Sequence, residues 1–404
     1  MDFLNFRPNL GQQYIANESI KFFNDPSRQL FQIAGLAGTG KSTLLHYIID
    51  INNIPRSRIL PVAYTGAAAV VLKLNGFPNS KTIHSGFYEC VEDYMRDQNG
   101  RIIFDTYHNR PKMTISHVPI DKLRDIDLII VSEAGNVPFG MRHTLMKHGI
   151  KVIAEGDLGQ LPPINDEPAF LNSGDVYQLT EPMRQNVNSN ILYLAYRARK
   201  GLPIQYGYYG DCVVIDEDDL TDEMILRSDI VICGTNKKRE EMNRHIRHLL
   251  CHNTDIPEYG ERVICRKNNY KYNIDGINLA NGLIGTVLNH PGIDGFDGRT
   301  FRIDFKPLLF NNIFFDLRCN YEYLMSDVKK REKLKKSKYT VGECFEYGYC
   351  ITTYLSQGQT FNNCIYIEEY LSPEINDRQN YVGLTRAKNG VIYVKRKRKF
   401  WKMR

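Results

Sequence analysis

No C-x-x-C pair and no framework spacing occurs among the nine cysteines of this 404-residue chain. A disulfide scaffold is not indicated, and the plain reading is reduced thiols in a cytosol-like compartment. No apolar run is long enough to cross a bilayer, so no membrane partner is expected. The opening residues, MDFLNFRPNL, have no basic stretch leading into an apolar one, which argues against a secretory leader. Internal repeats and extended low-complexity segments are absent as well. So is a strong charge of one sign: 52 Lys and Arg stand against 46 Asp and Glu, a net +6 with a pI near 8.7. So modest an excess permits nucleic-acid binding without requiring it.

What is present is ordinary globular material, 42% hydrophobic and 24% charged, in a length that suggests two or three domains. Leu30–Ala34, Ile59–Ala63, Leu128–Val131 and Val152–Ala154 read as buried strands, and Lys41–Ile49 as a helix. Such alternation predicts a parallel sheet covered on both faces. The polar and aromatic stretch Gly86–Val118 breaks the rhythm and reads as an insertion, with a hairpin expected in Arg101–Asp105 and Met113–Ser116. The rhythm returns at Ile230–Cys233, Gly348–Thr352 and Val391–Val394. Between them, Asn253–Glu343 reads as a small β insertion. Two basic clusters, Lys329–Lys338 and Lys395–Arg404, fit phosphate contacts or, equally, a solvated helix face and a frayed tail.

The segment Phe31-Gln-Ile-Ala-Gly35-Leu-Ala-Gly38-Thr39-Gly40-Lys41-Ser42-Thr43 fits G-x-x-x-x-G-K-[ST], with a strand before it and a helix after. Glycines let backbone N–H groups turn inward around phosphate oxygens, and the helix start adds positive potential. Lys41 then neutralises the β- and γ-phosphates, and the Ser42 hydroxyl ligates Mg²⁺.

Later motifs separate the classes of P-loop protein. Val152-Ile-Ala-Glu-Gly156-Asp157-Leu-Gly-Gln160-Leu161-Pro162-Pro163 follows an expected strand, and Leu179-Thr-Glu-Pro-Met-Arg184-Gln185 comes next. Near the C-terminus stand Tyr349-Cys-Ile-Thr352-Thr-Tyr-Leu-Ser-Gln357-Gly358-Gln and Tyr381-Val-Gly-Leu-Thr385-Arg386-Ala387-Lys388. In order and spacing, along nearly the whole chain, these motifs resemble superfamily 1 helicases. The likeness is to the RecD-like 1B branch with its small Dda-type phage members. The resemblance implies an α/β fold of two RecA-like P-loop NTPase domains with parallel sheets, at 1–180 and 181–404, with ATP in the cleft between them. It adds a small hairpin insertion at 86–118 and an SH3-like β insertion at 253–343. The implied cofactors are ATP and Mg²⁺.

Residue roles follow from the same resemblance. Gln12 looks like the adenine-reading glutamine, with Gln13 the alternative. Gly35, Gly38, Thr39, Gly40, Lys41, Ser42, Thr43 and Gly358 would line the nucleotide, and Gln160 would sense the γ-phosphate. Arg184 and Arg386 would be arginine fingers, which meet the charge that spreads over the γ-phosphoryl oxygens in the transition state. Glu133, in Leu128-Ile-Ile-Val131-Ser132-Glu133-Ala134, matches the carboxylate that positions and deprotonates the attacking water. Here the chain departs from the pattern, because Ser132 stands where the family has an aspartate that helps hold Mg²⁺. Weakened metal binding at Ser42 and Ser132 is the expectation. A second departure is Tyr354-Leu355, where many relatives have His-Lys.

The nucleic-acid track is implied by Tyr64-Thr65-Gly66-Ala67, Thr82-Ile83-His84-Ser85 and Thr235-Asn236-Lys237 with Asn243 and Arg247. Thr352 and Gln357 belong to it too. Phe104, Tyr107 and His108 in the hairpin insertion could stack on the last base pair, or pack as an ordinary aromatic loop. The expected function is an ATP-dependent DNA helicase moving 5′→3′. Alternatives are a single-strand translocase that displaces proteins and an ATP-gated clamp with weak hydrolysis. The expected partners are single-stranded and fork DNA, with single-strand-binding or other replication proteins beside them. The chain is expected to be a cytoplasmic monomer, in the host cytoplasm if phage-encoded. Replacing Lys41 by Ala should abolish ATP turnover in a phosphate-release assay; unchanged hydrolysis would remove the active-site assignment.

Overall fold

Strands that are apolar along their whole length need cover on both faces, and parallel pairing with crossover helices provides it. The computed structural model, which describes residues 6–104, 111, 113–181, 189–293, 298–337 and 340–396, contains two such sheets. In the first, six parallel strands run in the order Lys81–Thr82, Ile59–Ala63, Leu128–Ser132, Lys151–Gly156, Leu30–Gly35 and Val176–Leu179. Side chains alternate between the faces. Ile130 and Ile153 pack with Ile15, Phe22, Leu44 and Ile48 of the helices Leu10–Asn24 and Lys41–Ile51. Ile129 and Val152 pack on the opposite face with Phe87, Leu145 and Phe170.

The second sheet runs Cys350–Thr352, Ile230–Cys233, Phe361–Ile367, Ala387–Lys395, Cys212–Asp216 and Gly207–Tyr209, parallel except for the last strand. Helices Asn190–Arg199 and Pro373–Thr385 cover one face, through Leu194, Val382 and Leu384 against Ile232 and Tyr393. Helix Asn236–Leu249 covers the other through Met242 and Ile246. The sequence reading does not anticipate Val176–Leu179, Gly207–Tyr209, Cys212–Asp216 or Phe361–Ile367. The last of these has exposed Asn362 and Asn363 after its first residue, which mask its buried apolar end.

The hairpin insertion corrects an expectation. Met113–Pro119 does pair antiparallel, but its partner is Tyr88–Tyr94, from Tyr88 opposite Pro119 to Tyr94 opposite Met113. In the span expected as the first arm, Ile102 and Phe104 make only isolated bridges, to Arg96 and Pro111. The turn Asp97–Gly100 closes back on Arg101, so these residues fold near the hairpin tip.

Within the second expected domain a five-stranded antiparallel sheet runs Phe314–Asn320, Thr300–Pro307, Ile284–Val287, Arg262–Cys265 and Phe345–Tyr347. It has its own core of Val263, Leu283, Phe301, Phe305 and Phe345. One buried carboxylate ties it to its surroundings. Glu346 pairs with Arg239 of helix Asn236–Leu249 at 2.9 Å and with Arg266 at 3.1 Å, and accepts from the Tyr323 hydroxyl at 2.9 Å. Arg331, from the basic helix Val328–Lys336, turns inward to Glu240 at 2.9 Å and approaches Glu346. Burial alone would raise the Glu346 carboxyl; Arg266, Arg239 and Arg331 outweigh it and hold it down to about 2. Folding lowers this pKa from 4.5, so the stabilisation is complete above about 4.5 and is lost as pH falls toward 2. Glu346→Gln should therefore cost about 3–5 kcal/mol at neutral pH, since it strands buried guanidiniums. Urea unfolding at pH 7 and in acid should show the gap to the unsubstituted chain narrowing as the pH drops.

Candidate active site

The strand Leu30–Gly35 sits second from the edge of its sheet and delivers the phosphate loop to the start of helix Lys41–Ile51. Gly38 and Gly40 each take φ of +79°, the left-handed region that disfavours side chains. A Cβ on Gly35 would lie 2.5 Å from Thr39 Oγ1 and 3.1 Å from Leu179 Cβ. No side chain caps the helix at Gly40, so its first N–H groups face the loop concavity that also contains Ser42 and Thr43. Lys41 Nζ donates to the carbonyls of Gly35 at 2.8 Å and Leu36 at 3.1 Å. Gln12 is fully buried beside the loop: its amide donates to Thr39 O at 3.3 Å and accepts from Asn9 N at 3.1 Å. Gln13 is exposed and donates to Pro8 O.

Glu133 follows the strand Leu128–Ser132 with φ of +52°, a sparsely populated conformation for a residue with a side chain. Ser132 is buried, and its hydroxyl donates to Glu155 Oε1 on the neighbouring strand. Burial raises the Glu155 carboxyl above its ordinary value, while the Lys41 ammonium draws it down. Ser42, Ser132, Glu133 and Glu155 offer only oxygen atoms, the donor set a hard divalent cation such as Mg²⁺ takes. Sequence reasoning missed Glu155; its signal was an acid directly after the apolar run Val152–Ala154.

Residues from the second sheet's side complete this edge. The Tyr381 hydroxyl donates to Asp157 and accepts from Ala37 N at 3.2 Å. Gln357 donates to Asn136 Oδ1 at 3.1 Å, and Asn136 donates to Gln160 Oε1 at 3.4 Å. Arg378 donates to the Gln160 carbonyl at 3.3 Å. Arg386 is buried; its guanidinium donates to Val382, Ser356 and Gln359 carbonyls and to the Thr385 hydroxyl, all on its own side of the cleft. Arg184 lies outside the described residues. A cavity of about 450 Å³ opens between Gly35–Ala37 and the helix Asn190–Arg199, with Arg199, Lys200 and Tyr381 in its wall. Sequence reasoning did not single out Arg199 or Lys200, which sit in no motif.

The expected nucleic-acid residues share one local construction. Thr65, Thr82, Thr235 and Thr352 each follow or end a parallel strand and cap the next helix, accepting from the N–H three residues on. Asn236 is exposed in the first turn after one such cap, and His84 lies in another, with its ring near Tyr64 and Tyr88. Gly66 is explained by packing: a Cβ there would lie 2.5 Å from Asn268 Oδ1 and 2.9 Å from Ala280 of the β insertion. Gly358, at φ +76°, abuts Ala68 rather than the phosphate loop. Between the Gly66–Leu74 helix and the insertion lies a cavity of about 680 Å³ edged by Lys73, Lys81, Thr82 and Tyr270. Asn243 and Arg247, expected on this track, are instead structural. Asn243 bonds Cys350 through both backbone groups, and Arg247 bonds Glu261. Phe104 is 49% exposed. Tyr107 and His108 lie outside the described residues.

A model of the family described as AAA domain matches residues 17–219. No curated protein matches the chain in sequence. Among solved structures, Pif1 helicases described at forked duplex DNA align over 96% of this chain and 92% of theirs, with TM-score 0.57 and 19% identity. Bacteroides Pif1 bound to single-stranded DNA aligns over 96% and 92%, at TM-score 0.56 and 16% identity. Candida albicans Pif1 aligns over 96% and 94%, at 0.54 and 16%. At such identity the likeness establishes the fold. The Tyr381–Asp157 bond is the joint most open to test. A double-mutant cycle of Tyr381→Phe with Asp157→Asn, read by urea unfolding, should give a coupling of about 1–3 kcal/mol; additive effects would mean the bond contributes nothing.

Proposed function

The chain belongs to the AAA-domain family, and on that footing we propose that it is an ATP-dependent DNA helicase of the superfamily 1B type, moving 5′→3′ on one strand and opening duplexes. The observation that carries the proposal is the hydrogen-bonded path Gln357–Asn136–Gln160, together with Tyr381 on Ala37 and Asp157. It joins the phosphate-binding edge of one sheet to the strand-binding edge of the other. A site built from both sides of a cleft changes whenever the cleft opens or closes, which is how hydrolysis couples to movement. The domains are 1–180 and 181–404, with 86–118 and 253–343 inserted.

In this reading Lys41, Ser42, Thr43 and the loop N–H groups hold the phosphates, and Gln12 meets the base. Mg²⁺, when bound with the nucleotide, neutralises charge on the β- and γ-phosphoryl oxygens. Glu133 takes the proton of the attacking water as the bond to the γ-phosphorus forms and the bond to ADP breaks. Gln160 faces the γ-phosphate, while Arg184 and Arg386 supply positive charge from across the cleft. Thr65, Thr82, Thr235 and Thr352 mark four helix starts at strand ends, a geometry suited to backbone phosphates. Fold relatives are described bound to single-stranded DNA, at forks and with ADP-AlF₃, and we assign the same ligand classes to this chain. The test is hydrolysis with and without single-stranded DNA, followed by strand separation on forks with a 5′ or a 3′ tail. DNA-stimulated turnover with opening of the 5′-tailed fork is the expected result. Stimulation without opening would favour the translocase, and turnover indifferent to DNA would overturn the motor reading.

A further inference from the structure

Glu155 has no role in any of the motifs, yet the fold places it beside Ser132, where the resemblance implies a metal-holding acid. It stands near the end of the strand Lys151–Gly156, after three buried apolar residues, and is itself 6% exposed. On one flank its register partner is Ile33, two residues ahead of Gly35 in the phosphate loop. On the other flank Val131 pairs with Ala154, so Ser132 comes next to Glu155. The Ser132 hydroxyl donates to the Glu155 carboxylate. No Lys or Arg among the described residues forms an ion pair with it, although a carboxylate this deep is costly without a cation. The nearest cation in the sequence motif, Lys41, is bonded to the Gly35 and Leu36 carbonyls. Adjacent strands lie about 4.8 Å apart, so a glutamate side chain starting on one can reach the space a short acid on the next would fill.

We propose that Glu155 supplies, from the neighbouring strand, the metal-facing carboxylate that position 132 lacks, with the Ser132 hydroxyl holding it toward a Mg²⁺–nucleotide. The proposal rests on the ATP-hydrolysing reading above. It accounts for two features at once: a hydroxyl where an acid is usual, and an acid directly after three buried apolar residues. It also makes Ser132→Asp harmful by itself, because two carboxylates would then share one buried space.

The test is equilibrium binding of a fluorescent, non-hydrolysable ATP analogue to the full chain, with Mg²⁺ and with EDTA, beside an electron-spin-resonance titration of Mn²⁺ into the nucleotide complex. In Glu155→Gln the metal-free affinity should not fall, because a negative charge beside the phosphates is removed, while the Mg²⁺-dependent gain and the Mn²⁺ affinity fall by roughly 10- to 100-fold. Ser132→Asp combined with Glu155→Ala should recover both, and Ser132→Asp alone should not. A normal metal response in Glu155→Gln overturns the proposal. So does its loss in the combined variant when circular dichroism and melting show that variant folded, since the residue would then only support the strand. If the unsubstituted chain binds no nucleotide under either condition, the ATP-hydrolysing reading fails, and this proposal with it.

Discussion

Every strand of a parallel sheet ends at the same edge, and the helix that follows begins there with unpaired N–H groups. In this protein that constraint is met twice, once in each sheet. At the first edge it brings together the phosphate loop after Gly35, the Ser132–Glu133 pair and Glu155. At both edges it sets threonines at helix starts, with Thr65 and Thr82 on one sheet and Thr235 and Thr352 on the other. Residues far apart in the chain become neighbours because their strands terminate together.

Between the edges, the fold relies on a few buried polar contacts. The Tyr381 hydroxyl is lodged between a backbone N–H of the phosphate loop and the Asp157 carboxylate. Such a bond is directional, so a small rotation of one sheet against the other breaks it, whereas apolar contact would tolerate sliding. The antiparallel insertion is held more firmly. Glu346 among Arg239, Arg266 and Arg331 leaves no low-cost alternative pairing, since separating one partner strands charge in the interior. The same sheet reaches the first domain through Asn281, whose carbonyl accepts from Ala67 N at 3.0 Å. Gly66 is the residue that lets the backbones come this close.

Much of this was legible in the residues. Ile59–Ala63 and Ile230–Cys233 form strands with the bounds expected for them, because runs of buried apolar residues bracketed by polar ones have one physical solution in an α/β chain. Strands with mixed faces were not legible. Phe361–Ile367 carries two exposed asparagines directly after its first residue, and Val176–Leu179 is an edge strand with little burial. The hairpin's first arm was misplaced because Tyr88–Tyr94 carries three charges, Glu89, Glu92 and Asp93, that follow no alternation and so do not announce a strand. At the site, consecutive motifs such as Gly35–Ser42 and Asp157–Gln160 could be read directly. Glu155, Arg199 and Lys200 could not, since their neighbours there come from other strands and helices.

By itself, then, the sequence determined the local chemistry: which strands are apolar, where glycines permit a phosphate-binding turn, and which motifs follow in order. Only the tertiary structure decided who meets whom. It set Ser132 against Glu155, Tyr381 against Asp157 and Ala37, and turned Asn243 and Arg247 into internal braces instead of surface contacts. The physical reason is that backbone conformation and apolar periodicity are encoded over a few residues. The environment of a buried charge or hydroxyl is set by strands that lie side by side but far apart in the chain.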